Sequence, residues 1–153
     1  MQGSGARGFT LIELLVTLII IAILVSMVMI SAVPRNDRVF REEGGRIAQL
    51  LMLARDEAQI RSAPVRMQYD DIGYRFVVFH DRAWRVLDRD PYLRPRRWGE
   101  PTRMIVERAD GNPIIEFGRD MIEPPFLIRL FRDGRSLQIV ANGLGSFEVV
   151  EPR

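Results

Sequence analysis

One stretch limits what this chain can become. Residues Phe9 to Val33 are almost wholly apolar, and from Leu14 to Pro34 there are 21 residues without a charge. Wound as an α-helix, those 21 residues reach about 31 Å, enough to cross the hydrocarbon core of a bilayer. The stretch is predicted to be a membrane-spanning helix. One carboxylate, Glu13, stands near its start. An ionisable side chain is costly to hold in hydrocarbon, so Glu13 should have a partner.

The rest of the chain, about 120 residues, is enough for one small domain with its own core. Cysteine is absent. That excludes a disulfide framework, thiolate catalysis and a cysteine metal site, so a domain outside the cytoplasm must be held by packing alone. The formal charge is only +2, but arginine dominates the basic side and the pI is near 9.6. This leans towards acidic partners: anionic lipid, nucleic acid or acidic protein.

Ahead of the apolar stretch, Met1–Gly8 is short and polar, with Arg7 its one charge. An ordinary secretory signal has a shorter apolar core that ends in small residues before a cleavage site. Here the core is too long and is followed by Ala32-Val33-Pro34-Arg35. A simple N-terminal anchor fits the composition, with Arg7 on the cytoplasmic side. Arg35 and Arg38 pull mildly against that orientation.

After the apolar stretch, Pro34 is expected to kink or end the helix near Val33, because it lacks an amide hydrogen. Helical signals then resume. Ile47, Leu50, Leu51, Ala54 and Ala58 form an apolar stripe, opposite Arg46, Gln49, Arg55, Asp56 and Gln59. That stripe should lie against a globular domain. Gly44-Gly45 weakens helix by about 1 kcal/mol per glycine and is read as a flexible point. Pro64 closes the helical region.

Beyond Pro64 the apolar period becomes two. Strand candidates are Val65–Tyr69, Tyr74–Phe79, Trp84–Leu87, Met104–Glu107, Ile114–Phe117, Phe126–Phe131, Leu137–Val140 and Ser146–Val150. Turn formers separate them: Asp70-Asp71-Ile72-Gly73, Asp110-Gly111-Asn112-Pro113, Asp133-Gly134 and Asn142-Gly143, with Asp133-Gly134 the clearest hairpin. Many short strands imply antiparallel sheets packed face to face. The predicted class is α+β: a long N-terminal helix, transmembrane in its first half, packed on an antiparallel β-sandwich. The expected division is 1–8, 9–33, 34–63 and 64–153.

Asp88–Pro101 fits neither period and is predicted to be a long exposed loop. It carries Arg94, Arg96 and Arg97 around Trp98. Arginines beside an aromatic ring suit a protein interface, and they also suit nucleic acid, where guanidinium meets phosphate and the ring stacks on a base. A solvated loop with Trp98 tucked beneath it is the plainest alternative.

Catalytic chemistry has little to draw on. His80 is the one histidine, beside Asp81 at a predicted strand end, with no defined nucleophile. No glycine-rich phosphate loop is present. Asp70-Asp71 and Asp88-x-Asp90 could meet a hard cation, but turn formers flank both pairs. No enzyme, cofactor or metal site is expected.

The run Gly8-Phe9-Thr10-Leu11-Ile12-Glu13-Leu14-Leu15-Val16 resembles the class III signal of type IV pilins and type II secretion pseudopilins. The resemblance implies that a prepilin peptidase cuts after Gly8, that Phe9 becomes the N-methylated N-terminus, and that Glu13 is the family's fifth-position acid. Elementary electrostatics agrees: the new ammonium, four residues before Glu13, can neutralise it within one chain or between neighbours. Leu53-Ala54-Arg55-Asp56-Glu57-Ala58, Gly73-Tyr74-Arg75-Phe76 and Asp90-Pro91-Tyr92-Leu93-Arg94-Pro95-Arg96 resemble the GspH minor pseudopilins. In the last fifty residues the likeness is confined to strand pattern and to Gly145-Ser146-Phe147.

That resemblance implies a pilin-like fold and a structural role in the pseudopilus tip of a type II secretion system. It places the chain in the inner membrane, single-pass, with its C-terminal domain periplasmic. It implies as partners the other minor pseudopilins, the major pseudopilin, prepilin peptidase, the assembly platform and secreted substrates. Two alternatives stay open: a FimT-like minor pilin of a type IV pilus that binds DNA, and a membrane-anchored periplasmic binding module.

Overall fold

The structure is a computed structural model that describes residues 11–119 and 123–150; for residues 25–36 it describes the backbone alone. One helix, α1 (Leu11–Arg61), is followed by nine strands. These are β1 (Val65–Tyr69), β2 (Gly73–His80), β3 (Ala83–Val86), β4 (Arg96–Arg97), β5 (Arg103–Arg108), β6 (Ile115–Phe117), β7 (Phe126–Arg132), β8 (Arg135–Ala141) and β9 (Phe147–Val150). The chain divides into two compact units, residues 1–40 and 41–153.

α1 does not end at Pro34, as the sequence suggested; it runs through it. A proline removes one amide donor from the ladder, and α1 continues on both sides despite that loss. Nor does Gly44-Gly45 interrupt it. A Cβ built on Gly44 falls 2.0 Å from Leu137 Cδ2, whereas one on Gly45 meets nothing within 4 Å. Gly44 is therefore a close-approach residue, where the helix backbone lies against β8. The stripe predicted for this half is buried throughout: Ile47, Leu50, Leu51, Ala54 and Ala58.

All strand pairs are antiparallel and fall into two sheets. The first has the order β3-β2-β1-β6, with β4 also paired to β2; the second has the order β5-β7-β8-β9. Register explains the core. Met67 stands opposite Phe76 and Ile115, and Val65 opposite Val78 and Phe117, so one face of the first sheet is continuously apolar. In the second sheet Leu130 pairs with Met104 and Leu137, and Ile128 with Ile139. These residues are buried. Phe147 on β9 touches Phe117 at 5.9 Å and Phe126 at 6.2 Å, joining the two sheets through aromatic contacts.

Each of the eight predicted runs overlaps one strand. Asp133-Gly134 forms the expected two-residue hairpin, with both residues at positive φ (47° and 74°), as a turn of this kind requires. Asp81 and Arg82, at φ 51° and 61°, close the β2–β3 hairpin in the same way.

Candidate assembly surface

In the N-terminal unit, the helix from Leu11 to Leu24 is apolar except at Glu13 and Thr17, and it is exposed on every side. From Leu11 to Leu24 its aliphatic side chains range from 47% exposed at Val16 to 84% at Leu11. A helix with apolar residues all round belongs in a membrane or in the core of a larger body. Glu13 lies in its first turn and is exposed. The Thr17 hydroxyl donates to the Glu13 carbonyl, so Thr17 satisfies its polarity within the helix and the carboxylate stays available.

Among the described residues no helix is long and apolar enough to cross a membrane. The fourteen residues 11–24 span about 21 Å, less than a bilayer core. The spanning helix expected over 9–33 lies partly outside the described residues. Gly8 and Phe9 lie outside them altogether.

The stretch Asp88–Pro101 differs from the predicted open loop. Arg96 and Arg97 form β4, pairing with Tyr74 and Gly73. Gly73 permits this approach, since a Cβ there would lie 2.3 Å from the Arg96 carbonyl oxygen. Trp98 is buried. Its Nε1 donates to the Asp70 carbonyl at 2.8 Å, its amide donates to the Ile72 carbonyl at 3.0 Å, and its ring lies 4.7 Å from Tyr74. Trp98 thus packs inside the domain and ties β4 to the β1–β2 turn. Arg96 is partly covered and donates to the Tyr92 carbonyl. Arg94 and Arg97 remain exposed. The sequence could not separate these arginines from Trp98, because β4 is too short to show a period.

Two of the carboxylates offered to a cation, Asp70 and Asp90, face backbone amides. Asp90 Oδ1 accepts from the amides of Tyr92 and Leu93 at 2.9 and 2.8 Å. Asp70 Oδ1 accepts from Ile72 and Gly73, both at 2.8 Å. Those two amides, Gly73 first, hold the Asp70 carboxyl below the ordinary value of 3.8, with a smaller contribution from Arg75. A depressed pKa contributes stability that is present above the unfolded value and is lost as pH falls through the folded one. Asp70→Ala should therefore lower the Tm at pH 7, and the gap to the parent should close below about pH 4. Thermal melts of both proteins across pH 3–7 check this.

His80 lies 3.4 Å from Asp81 on an open turn, and Asp81 also meets Arg85 at 3.2 Å. This is a surface charge cluster at a strand end. Among the described residues no group of three or more His, Asp or Glu side chains is arranged to hold a metal.

Residues 3–29 match the prokaryotic N-terminal methylation motif, and residues 43–145 match the family model of type II transport protein GspH. The type II secretion system protein H of Pseudomonas aeruginosa is 31% identical over 118 residues, 74% of this chain. The chain spans 65% of that relative's length. Two solved structures share the fold. The solution structure of E. coli GspH has a TM-score of 0.62 and 21% identity, covering 80% of this chain and 95% of that one. The minor pseudopilin EpsH of Vibrio cholerae has a TM-score of 0.60 and 17% identity, covering 73% and 96%. With the family model spanning most of the sheet-bearing unit and the methylation motif lying on the apolar helix, the chain belongs to the GspH family of type II transport proteins.

Proposed function

We propose that this protein is a minor pseudopilin, a structural subunit of the periplasmic pseudopilus of a type II secretion system. The observation that carries this reading is the helix from Leu11 to Leu24, apolar and uncovered on all sides and joined to the methylation motif of the family. Before assembly the helix holds the chain in the inner membrane, with the sheet-bearing unit in the periplasm. In the filament it packs among the helices of other minor pseudopilins and the major pseudopilin. Both surroundings are apolar, so the transfer exposes little hydrocarbon to water.

Prepilin peptidase cuts after Gly8 and Phe9 is methylated. The resulting ammonium neutralises Glu13 on its own chain or on a neighbour, and this pairing aligns the helices. The assembly platform and secreted substrates are the further partners. Glu13→Ala should reduce pseudopilus incorporation about tenfold or more, the effect of losing as little as 1.4 kcal/mol of pairing. Immunoblotting of sheared filaments measures it, and unchanged incorporation would refute the alignment role.

The exposed pair Arg94 and Arg97 favours protein contact in the tip over nucleic acid. Trp98, the ring that the sequence places among these arginines, is buried and is not offered for stacking on a base; Tyr92 is the exposed ring beside them. A mobility-shift assay of the full chain in detergent with duplex DNA tests this, with no shift expected.

A further inference from the structure

β4 pairs with β2 so that Arg96 stands opposite Tyr74. Side chains opposite one another in an antiparallel pair lie on the same face, about 5 Å apart at Cβ. Tyr74 is 4% exposed, its ring 4.7 Å from Trp98 and edge-on to Phe76 at 6.4 Å. The charged groups that act on its hydroxyl are Arg96, Glu43 and Arg46, the last two from α1. Glu43 and Arg46 are three residues apart and so share one flank of that helix.

The donors of this group have capacity left. The Tyr74 hydroxyl makes no hydrogen bond among the described residues. Arg96 donates from one terminal nitrogen to the Tyr92 carbonyl at 3.3 Å, while its Nε is buried without an acceptor. Arg46 is exposed and forms no ion pair among the described residues. Glu43, the acid of the group, is engaged by Arg132. A buried donor without an acceptor is costly, and nearly all such groups in folded proteins find one. Burial raises the Tyr74 hydroxyl above its ordinary value of 10.0, outweighing Arg96 and Arg46, so at neutral pH it is an intact O–H donor.

We infer that Arg96, Tyr74 and Arg46 form a subsite for a carboxylate, supplied by an acidic side chain of a partner protein. A carboxylate carries two acceptor oxygens in one plane. It would accept from Arg96 Nε and from the Tyr74 hydroxyl, while the Arg46 guanidinium balances its charge. With Tyr74 almost wholly covered, its hydroxyl is reached by a single side chain rather than by a broad face. The subsite does not depend on the proposed function; under that reading the acid belongs to a neighbouring pseudopilin.

NMR of the full chain in detergent tests this by following the Arg96 Nε–H signal as sodium acetate is added, with sodium chloride at equal ionic strength as the control. The signal should move saturably with acetate and stay in place with chloride. Arg46→Gln, at an exposed helix position, and Tyr74→Phe, which keeps the ring, should each weaken the acetate response about fivefold, the effect of losing one hydrogen bond or charge contact. No saturable shift, an equal shift with chloride, or an undiminished response in either variant overturns the inference. Short-chain phosphatidylglycerol separates a lipid source: it should leave the signal unmoved, and a shift by the lipid without one by acetate overturns the assignment to a carboxylate.

Discussion

Glu43→Ala should lower the stability of the sheet-bearing unit by about 3–5 kcal/mol, the usual cost of removing one partner from a buried ion pair. The loss comes from what is left behind. The Arg132 side chain is almost fully buried at the end of β7, and its guanidinium would lose the Glu43 carboxylate with little access to water in its place. Thr102 accepts the Nε hydrogen, but it is neutral and does not replace the carboxylate. For a domain of about 110 residues the fall corresponds to roughly 15–25 °C in Tm. Circular-dichroism melts in detergent measure it. A drop under about 1 kcal/mol, typical of an exposed pair, would contradict the buried geometry.

The second large effect separates two adjacent glycines. Gly45→Ala should stabilise the protein by about 0.5–1 kcal/mol, since alanine is the better helix former and nothing lies within 4 Å of the new methyl. Gly44→Val should destabilise it by about 1–3 kcal/mol or more, because its side chain must displace Leu137, which is 1% exposed and has nowhere to move. Gly44→Ala meets the same side chain with one methyl. Combining it with Leu137→Ala should cost about 0.5–3 kcal/mol less than the two single losses summed. Strict additivity in that double-mutant cycle would show that helix and β8 do not touch at this point.

These two sites mark the boundary of what the sequence shows. The stripe from Ile47 to Ala58 and the alternation in β7 are local periodicities, so helix face and strand face could be read directly. The Asp133-Gly134 hairpin was equally legible, because positive φ at two successive positions restricts residue choice. The Glu43–Arg132 pair joins residues 89 apart, and nothing in either neighbourhood announces the other. Gly44 read as a weak point because propensity counts what a glycine lacks; the backbone approach that requires it is tertiary. At Pro34 a kink or an end was expected, and the helix does not end there. Trp98 stood among arginines in sequence and is buried away from Arg94 and Arg97 in space. That separation follows from the pairing of β4 with β2 across Gly73, a contact between segments more than twenty residues apart.

The N-terminal motif was the most legible feature of all, and the proposed function rests on it. The ammonium that neutralises Glu13 exists only if the chain is cut after Gly8. Intact-mass and N-terminal analysis of the protein, made with and without prepilin peptidase, tests this directly. With the peptidase, the chain should begin at a methylated Phe9; without it, the Met1–Gly8 leader should still be attached. A chain that begins elsewhere, or that is the same in both strains, would contradict the account.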